Sequence, residues 1–206
     1  MQPFTKLTAI AAPLLRINID TDAIIPSKEM KSVGKHGLSA GMFAHWRYND
    51  PGNRVENPEF VLNEEPYRRA GILLTGRNFG CGSSREHAVW AMREWGFRVI
   101  VAPSFGAIFR GNCVRNGILP VVLKDNVIKS LSAEVQANPH INRITLDLPK
   151  QILISAGGIS YNFDIAPADK EMLVEGLDPI GITLKRDEDI LAFTRADRVR
   201  RPWVYL

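Results

Sequence analysis

The chain has 206 residues, 45% of them hydrophobic and 23% charged, with a formal net charge of +4. That size suits one large domain or two small ones, and the apolar content can fill a core, which excludes a disordered chain. No apolar run is long enough for a membrane span, and two cysteines, Cys81 and Cys113, make no disulfide framework, so a cytoplasmic setting is expected.

The apolar start from Leu7 to Leu15 loosely resembles a signal peptide, but Pro13 interrupts it and Lys6 is its only basic leader, so no cleaved leader is expected. Leu14 to Asp20 alternates in part and predicts a strand, ended by Asp20-Thr21-Asp22 and followed by Ile24-Ile25-Pro26. Residues 27–66 have little periodicity and predict a long excursion with short helices around Ser39 to Tyr48. Gly71 to Thr75 predicts a strand, and a helix starts at Ser83. Arg98 to Ala102 suits a buried parallel strand, broken at Pro103 and Ser104. A helix over Phe105 to Arg115 stops at Asn116-Gly117, and Leu119 to Leu123 is the next strand. This alternation predicts a mainly parallel sheet with flanking helices.

From residue 127 the pattern changes. A helix over Val127 to Ala137 precedes antiparallel strands at Ile144 to Leu148, Gln151 to Ser155 and Ile159 to Ile165, the last pair joined by Gly157-Gly158. Helices are expected at Asp169 to Glu175 and Glu188 to Arg198. With no internal repeat or low-complexity linker, residues 1–206 read as a single α/β domain with added antiparallel strands.

Gly80-Cys81-Gly82-Ser83-Ser84-Arg85-Glu86-His87-Ala88 is the most informative stretch. The glycines let the backbone turn and approach a ligand, and serines and an arginine at a helix start favour a carboxylate or phosphate. Ser83 and Glu86 also have the spacing of a capping box, which any helix uses. His87 lies four residues after Ser83, on roughly the same helical face, suited either to orienting a neighbour or to a structural hydrogen bond. The dinucleotide fingerprint, the P-loop and the nucleophile elbow all fail here, and Cys81 reads as a small, partly buried residue. Histidines at 36, 45, 87 and 140 show no metal-ligand spacing, and two cysteines cannot hold an iron–sulfur cluster, so no metal is expected on this chain. Arg195, Arg198, Arg200 and Arg201 crowd the C-terminus, where a solvated helix face is expected rather than a nucleic-acid patch.

Taken together, the motifs resemble the small-subunit family of 3-isopropylmalate dehydratase. Asn18 to Pro26 resembles its opening motif, Asn78 to Ala88 its central one, Ser104 to Phe109 with Asn112, Asn116-Gly117 and Leu119-Pro120 its third, and Gly176 to Leu184 its C-terminal signature. The central motif is similar to the swivelling domain of aconitase as well. The resemblance implies a swivelling β/β/α domain and a partner large subunit carrying a [4Fe–4S] cluster. It also implies isomerisation of 2-isopropylmalate to 3-isopropylmalate through 2-isopropylmaleate in leucine biosynthesis. A sister hydro-lyase acting on citraconate or another alkylmalate is an alternative, as is a non-catalytic binding domain.

On this resemblance Ser83 is the catalytic base, with Ser84 and Arg85 binding the dicarboxylate substrate. Arg85 serves to stabilise the serine alkoxide, to clamp a carboxylate, or both. Asp22, Gly82 and His87 are supporting residues, Asp22 reading equally as a plain strand-end turn. Residues 27–35 are expected near the substrate's variable side chain. Neither nucleic acid nor membrane is an expected partner. The third motif of the family usually reads Ser-Phe-Ala-Asp, whereas Gly106-Ala107 stands here and removes a carboxylate.

Overall fold

The structure is a computed structural model and describes residues 1–30 and 34–205. The apolar start forms two short strands, β1 (Lys6–Ala9) and β2 (Ala11–Leu14), which belong to different sheets. The strand expected over Leu14 to Asp20 therefore lies earlier. Asn18 adopts a left-handed φ of 56°, which asparagine tolerates and which breaks an extended run, and its N–H donates to the Arg77 carbonyl at 2.9 Å. Helix α1 (Thr21–Ile24) follows, capped by Asp20, whose carboxylate accepts the Ala23 N–H at 2.7 Å.

The excursion contains α2 (Ala44–Arg47) and a hairpin of β3 (Tyr48–Asp50) and β4 (Val55–Glu56). The short helices expected around Ser39 to Tyr48 are a 3-10 turn at Ser39–Gly41 and α2, separated where Phe43 takes a left-handed φ of 52° directly before α2. Buried Arg47 ties the excursion together, donating through Nε to Asn63 Oδ1 at 3.2 Å and through Nη1 to the Ser39 carbonyl at 2.9 Å.

The strand–helix alternation then runs through β5 (Ile72–Thr75), α3 (Glu86–Trp95), β6 (Val99–Ala102), α4 (Ala107–Arg115), β7 (Leu119–Val122) and α5 (Asp125–Ala137). Strands β8 (Ile144–Asp147), β9 (Ile152–Ile154) and β10 (Ser160–Asn162) precede α6 (Pro167–Glu175), α7 (Pro179–Leu184) and α8 (Asp187–Arg200). Strands β2, β5, β6 and β7 form a parallel sheet in that order, and β1, β8, β9 and β10 an antiparallel one.

Burial on both faces explains the apolar runs of the parallel strands. Leu73 and Ile100 face one core, with Ala88, Val89 and Met92 of α3 and Phe43 of the excursion. Ile72, Leu74, Val99 and Val101 face a second core, shared with Leu131 of α5 and Leu146 and Leu153 of the antiparallel sheet. Helices, parallel sheet and antiparallel sheet thus form the layers implied by the resemblance. The carboxyl ends of β2, β5 and β6 open together at one edge, the place where parallel sheets carry ligands.

Candidate functional site

Three segments leaving those strand ends are stitched by backbone hydrogen bonds. Gly80 N–H donates to the Ile19 carbonyl at 2.7 Å and Thr21 N–H to the Cys81 carbonyl at 2.9 Å. Phe79 N–H donates to the Ser104 carbonyl at 3.1 Å and Gly106 N–H to the Phe79 carbonyl at 2.9 Å. Parallel pairing so continues beyond the strands as bridges Asp20–Cys81 and Phe79–Phe105. Glycine is required by these close approaches. A Cβ at Gly80, where φ is 69°, would fall 2.1 Å from the Phe109 ring, and one at Gly106 would fall 2.4 Å from the Gly80 carbonyl oxygen. The close approach gives a physical reason for Gly106 in this chain, while Ala107 sits exposed at the start of α4.

The capping box does not form. Helix α3 begins at Glu86 with Arg85 at its N-cap and no side-chain cap, so Ser83 and Ser84 stand ahead of the helix. Glu86 instead accepts from Asn116 Nδ2 at 2.7 Å, tying α3 to the end of α4. Both serines are exposed. Gly82, with φ of 91°, turns the chain so that Ser83 faces Thr21. The Ser83 hydroxyl lies 3.0 Å from Thr21 Oγ1, and Thr21 Oγ1 also donates to the Ser83 carbonyl at 3.2 Å. Thr21 is itself buried.

Arg85 pairs with Asp22 through Nη1 and Oδ1, and their side chains are 32% and 55% exposed. The hydrogen bond from Arg85 holds the Asp22 carboxyl below the usual aspartate range. Ser83, Ser84, Arg85, Gly82 and Asp22 are therefore one cluster. His87 is not part of it; its ring packs on Trp90 with centroids 4.7 Å apart. Because Ser83 lies outside the helix, the shared helical face expected for the two does not exist. Thr21 was not singled out from the sequence, although it stands at the centre of Asp20-Thr21-Asp22.

Exposed hydroxyls, a guanidinium and the free N–H groups of a helix start can bind a carboxylate and stabilise an oxyanion. No group of three or more His, Cys, Asp or Glu among the described residues could hold a metal ion. Cys113 is buried, its thiol pushed well up by that burial, and Cys81 is half-buried and free. These donors do not fit an iron–sulfur cluster.

Residues 1–126 match the aconitase C-terminal domain family. The 3-isopropylmalate dehydratase small subunit of Cupriavidus necator is 56% identical over 205 residues, covering 100% of this chain and 99% of that protein. The protein of the same name from Neisseria gonorrhoeae is 48% identical over 212 residues, covering 100% and 99%. The crystal structure of 3-isopropylmalate dehydratase from Methanocaldococcus jannaschii matches with a TM-score of 0.64 at 22% identity, covering 92% of this chain and 99% of that one, which speaks for the fold. Full-length identity of this degree, on a chain with this fold, places the protein in the 3-isopropylmalate dehydratase small-subunit family of the aconitase superfamily.

Proposed function

We propose that this chain joins a large subunit in the cytoplasm to isomerise 2-isopropylmalate and 3-isopropylmalate through 2-isopropylmaleate, in leucine biosynthesis. The observation that carries this reading is the Ser83 hydroxyl, held by Thr21 beside Arg85 at the open edge of the parallel sheet. When bound, a [4Fe–4S] cluster on the large subunit supplies the Lewis acid for loss of the hydroxyl.

This chain's own part is the proton. Ser83 Oγ, as an alkoxide, takes the proton from the carbon beside a substrate carboxylate and returns it at the neighbouring carbon during rehydration. A serine hydroxyl is a weak base in water, so Arg85 and the start of α3 must stabilise the oxyanion. Arg85 uses one Nη for Asp22 and keeps further donors for a substrate carboxylate, with Ser84 as another donor. A cavity of about 600 Å³ lined by Pro26, Lys28, Glu29, Ala44, His45 and Arg54 lies beside Asp22, and Pro26 and Ala44 supply its apolar surface for the substrate's alkyl group. Of residues 27–35, assigned to that group from the sequence, 31–33 lie outside the described residues.

Reconstitution with a large subunit tests this. The complex is expected to form the unsaturated acid from isopropylmalate, and this chain alone to form none. Ser83→Ala in the complex should lower turnover roughly 100- to 10,000-fold, the range of a positioned base. Unchanged turnover would remove Ser83 from the reaction, and preference for methylmalate would assign the chain to a sister hydro-lyase.

A further inference from the structure

Along α3 from Ser83, a second cavity of about 410 Å³ opens on the outer face of the helix, lined by Lys35, Trp90, Arg93, Glu94, Arg115 and Asp178 among others. Its acids are already engaged by backbone N–H groups. Glu94 accepts the backbone N–H groups of Gly37, Leu38 and Ser39 at 2.6, 2.6 and 2.7 Å, and Asp178 caps α7 by accepting the Gly181 N–H at 2.7 Å. Its cations are less engaged. Among the described residues the half-buried Arg93 guanidinium has no hydrogen bond or ion pair, and the Lys35 ammonium rests only on the Trp90 ring, 5.1 Å from its centroid. Arg115 spends a single Nη on Asn112, at 2.7 Å. Burial of the Arg93 guanidinium pulls its pKa down, as expected for a cation lacking a counter-charge.

A half-buried guanidinium without an acceptor is a costly group, and a bidentate carboxylate is the partner its fork fits. Among mostly charged and polar lining residues, Trp90 and Met1 supply the apolar surface, which offers a place for a hydrocarbon body beside the cations. We propose that this cavity binds a small carboxylic acid with an apolar body, its carboxylate on Arg93 and its body against Trp90. The site is separate from Ser83 and does not rest on the reaction assigned above. It has a structural link to that segment, since Trp90 Nε1 donates to Asn116 Oδ1 at 3.1 Å and Asn116 donates to Glu86.

Titration of the full chain with 4-methylpentanoate, read at the Trp90 indole N–H by NMR, tests the proposal. A saturable shift is expected in the native chain and in Arg85→Met. Arg93→Met, which keeps the apolar volume, should weaken it at least tenfold with the spectrum otherwise unchanged. Three results would overturn the proposal: no saturable shift, a shift indifferent to Arg93→Met, or equal saturation by inorganic phosphate, which has no apolar body. A response that disappears when the large subunit binds would assign the cavity to the interface and overturn it too.

Discussion

Thr21 and Ser83, 62 positions apart in the chain, share a hydroxyl–hydroxyl hydrogen bond of 3.0 Å. Thr21 also donates to the Ser83 carbonyl, so its oxygen is left to accept from the Ser83 hydroxyl. That arrangement fixes the direction of the Ser83 lone pairs. Thr21→Val keeps the shape and removes the hydroxyl. Once Ser83 is an alkoxide it can no longer donate, and the Thr21 hydroxyl turns from the Ser83 carbonyl to donate to Ser83 Oγ, 3.0 Å away. A hydrogen bond to a charged group is worth about 1.5–3 kcal/mol, so removing it should lower kcat of the complex roughly 10- to 100-fold with little change in KM. Thr21→Ser should restore most of it. Equal rates for the valine and native proteins would show that Thr21 only packs.

The Asp22 carboxyl has an ordinary pKa of 3.8 and is held below it by Arg85. A depressed carboxyl contributes above its unfolded value and loses its effect as pH falls through the folded one. The pair is therefore intact across neutral pH and opens only below the usual aspartate range. An NMR titration of the Asp22 side-chain carbon should show a midpoint under 3.8, moved upward in Arg85→Met. A midpoint at or above the ordinary value in the native chain would mean that the pair does not form in solution.

Two left-handed glycines should respond differently to alanine. At Gly96, with φ of 120°, a Cβ has open space and meets only backbone strain, about 1–2 kcal/mol. At Gly80 the Cβ also meets the Phe109 ring, which is buried against Phe79 and cannot step aside. Gly80→Ala should therefore cost about 2–4 kcal/mol in denaturant unfolding, clearly more than Gly96→Ala. Equal losses would contradict the packing at residue 80.

Glu94 grips three consecutive N–H groups at the end of the segment that follows residues 27–33. Burial pushes its carboxyl up, but the donors of Ser39, Gly37 and Leu38 together hold it below the usual 4.5. The grip is thus full above that value and lost as pH falls through the depressed one. Glu94→Ala should speed hydrogen exchange at Gly37, Leu38 and Ser39 roughly tenfold or more at neutral pH, while α3 keeps its protection. Unchanged exchange at the three amides would mean that another contact holds them.

Hydrophobic patterning alone carried most of the fold. Val99 to Ala102 is apolar at every position because both faces of β6 are covered, and a short run of that kind between helical segments admits a parallel strand. The Gly80-to-Arg85 segment admitted both an anion site and, with Glu86, a capping box, and the structure forms no capping box. What patterning missed was decided by pairing at a distance. The strand expected at Leu14 to Asp20 lies at Ala11–Leu14 because β2 takes its register from β5, sixty residues away, and no local signal records that.

From the residues themselves Ser83 and Arg85 read as an anion site, while the role of Ser83 as base and the choice of Asp22 came from the resemblance, Asp22 reading equally as a plain strand-end turn. Their arrangement was not legible. A capping box and a ligand loop share one spelling, and only the path of the backbone, bent by Gly82 and pulled toward Thr21, sets Ser83 ahead of the helix. The Arg93 guanidinium is likewise a tertiary matter, since among the described residues no acceptor from another segment reaches it, while the amides of Gly37, Leu38 and Ser39 take Glu94. Residue type dictates what a group can do; competition for its hydrogen bonds, settled only in the folded chain, dictates whether it is free to do it.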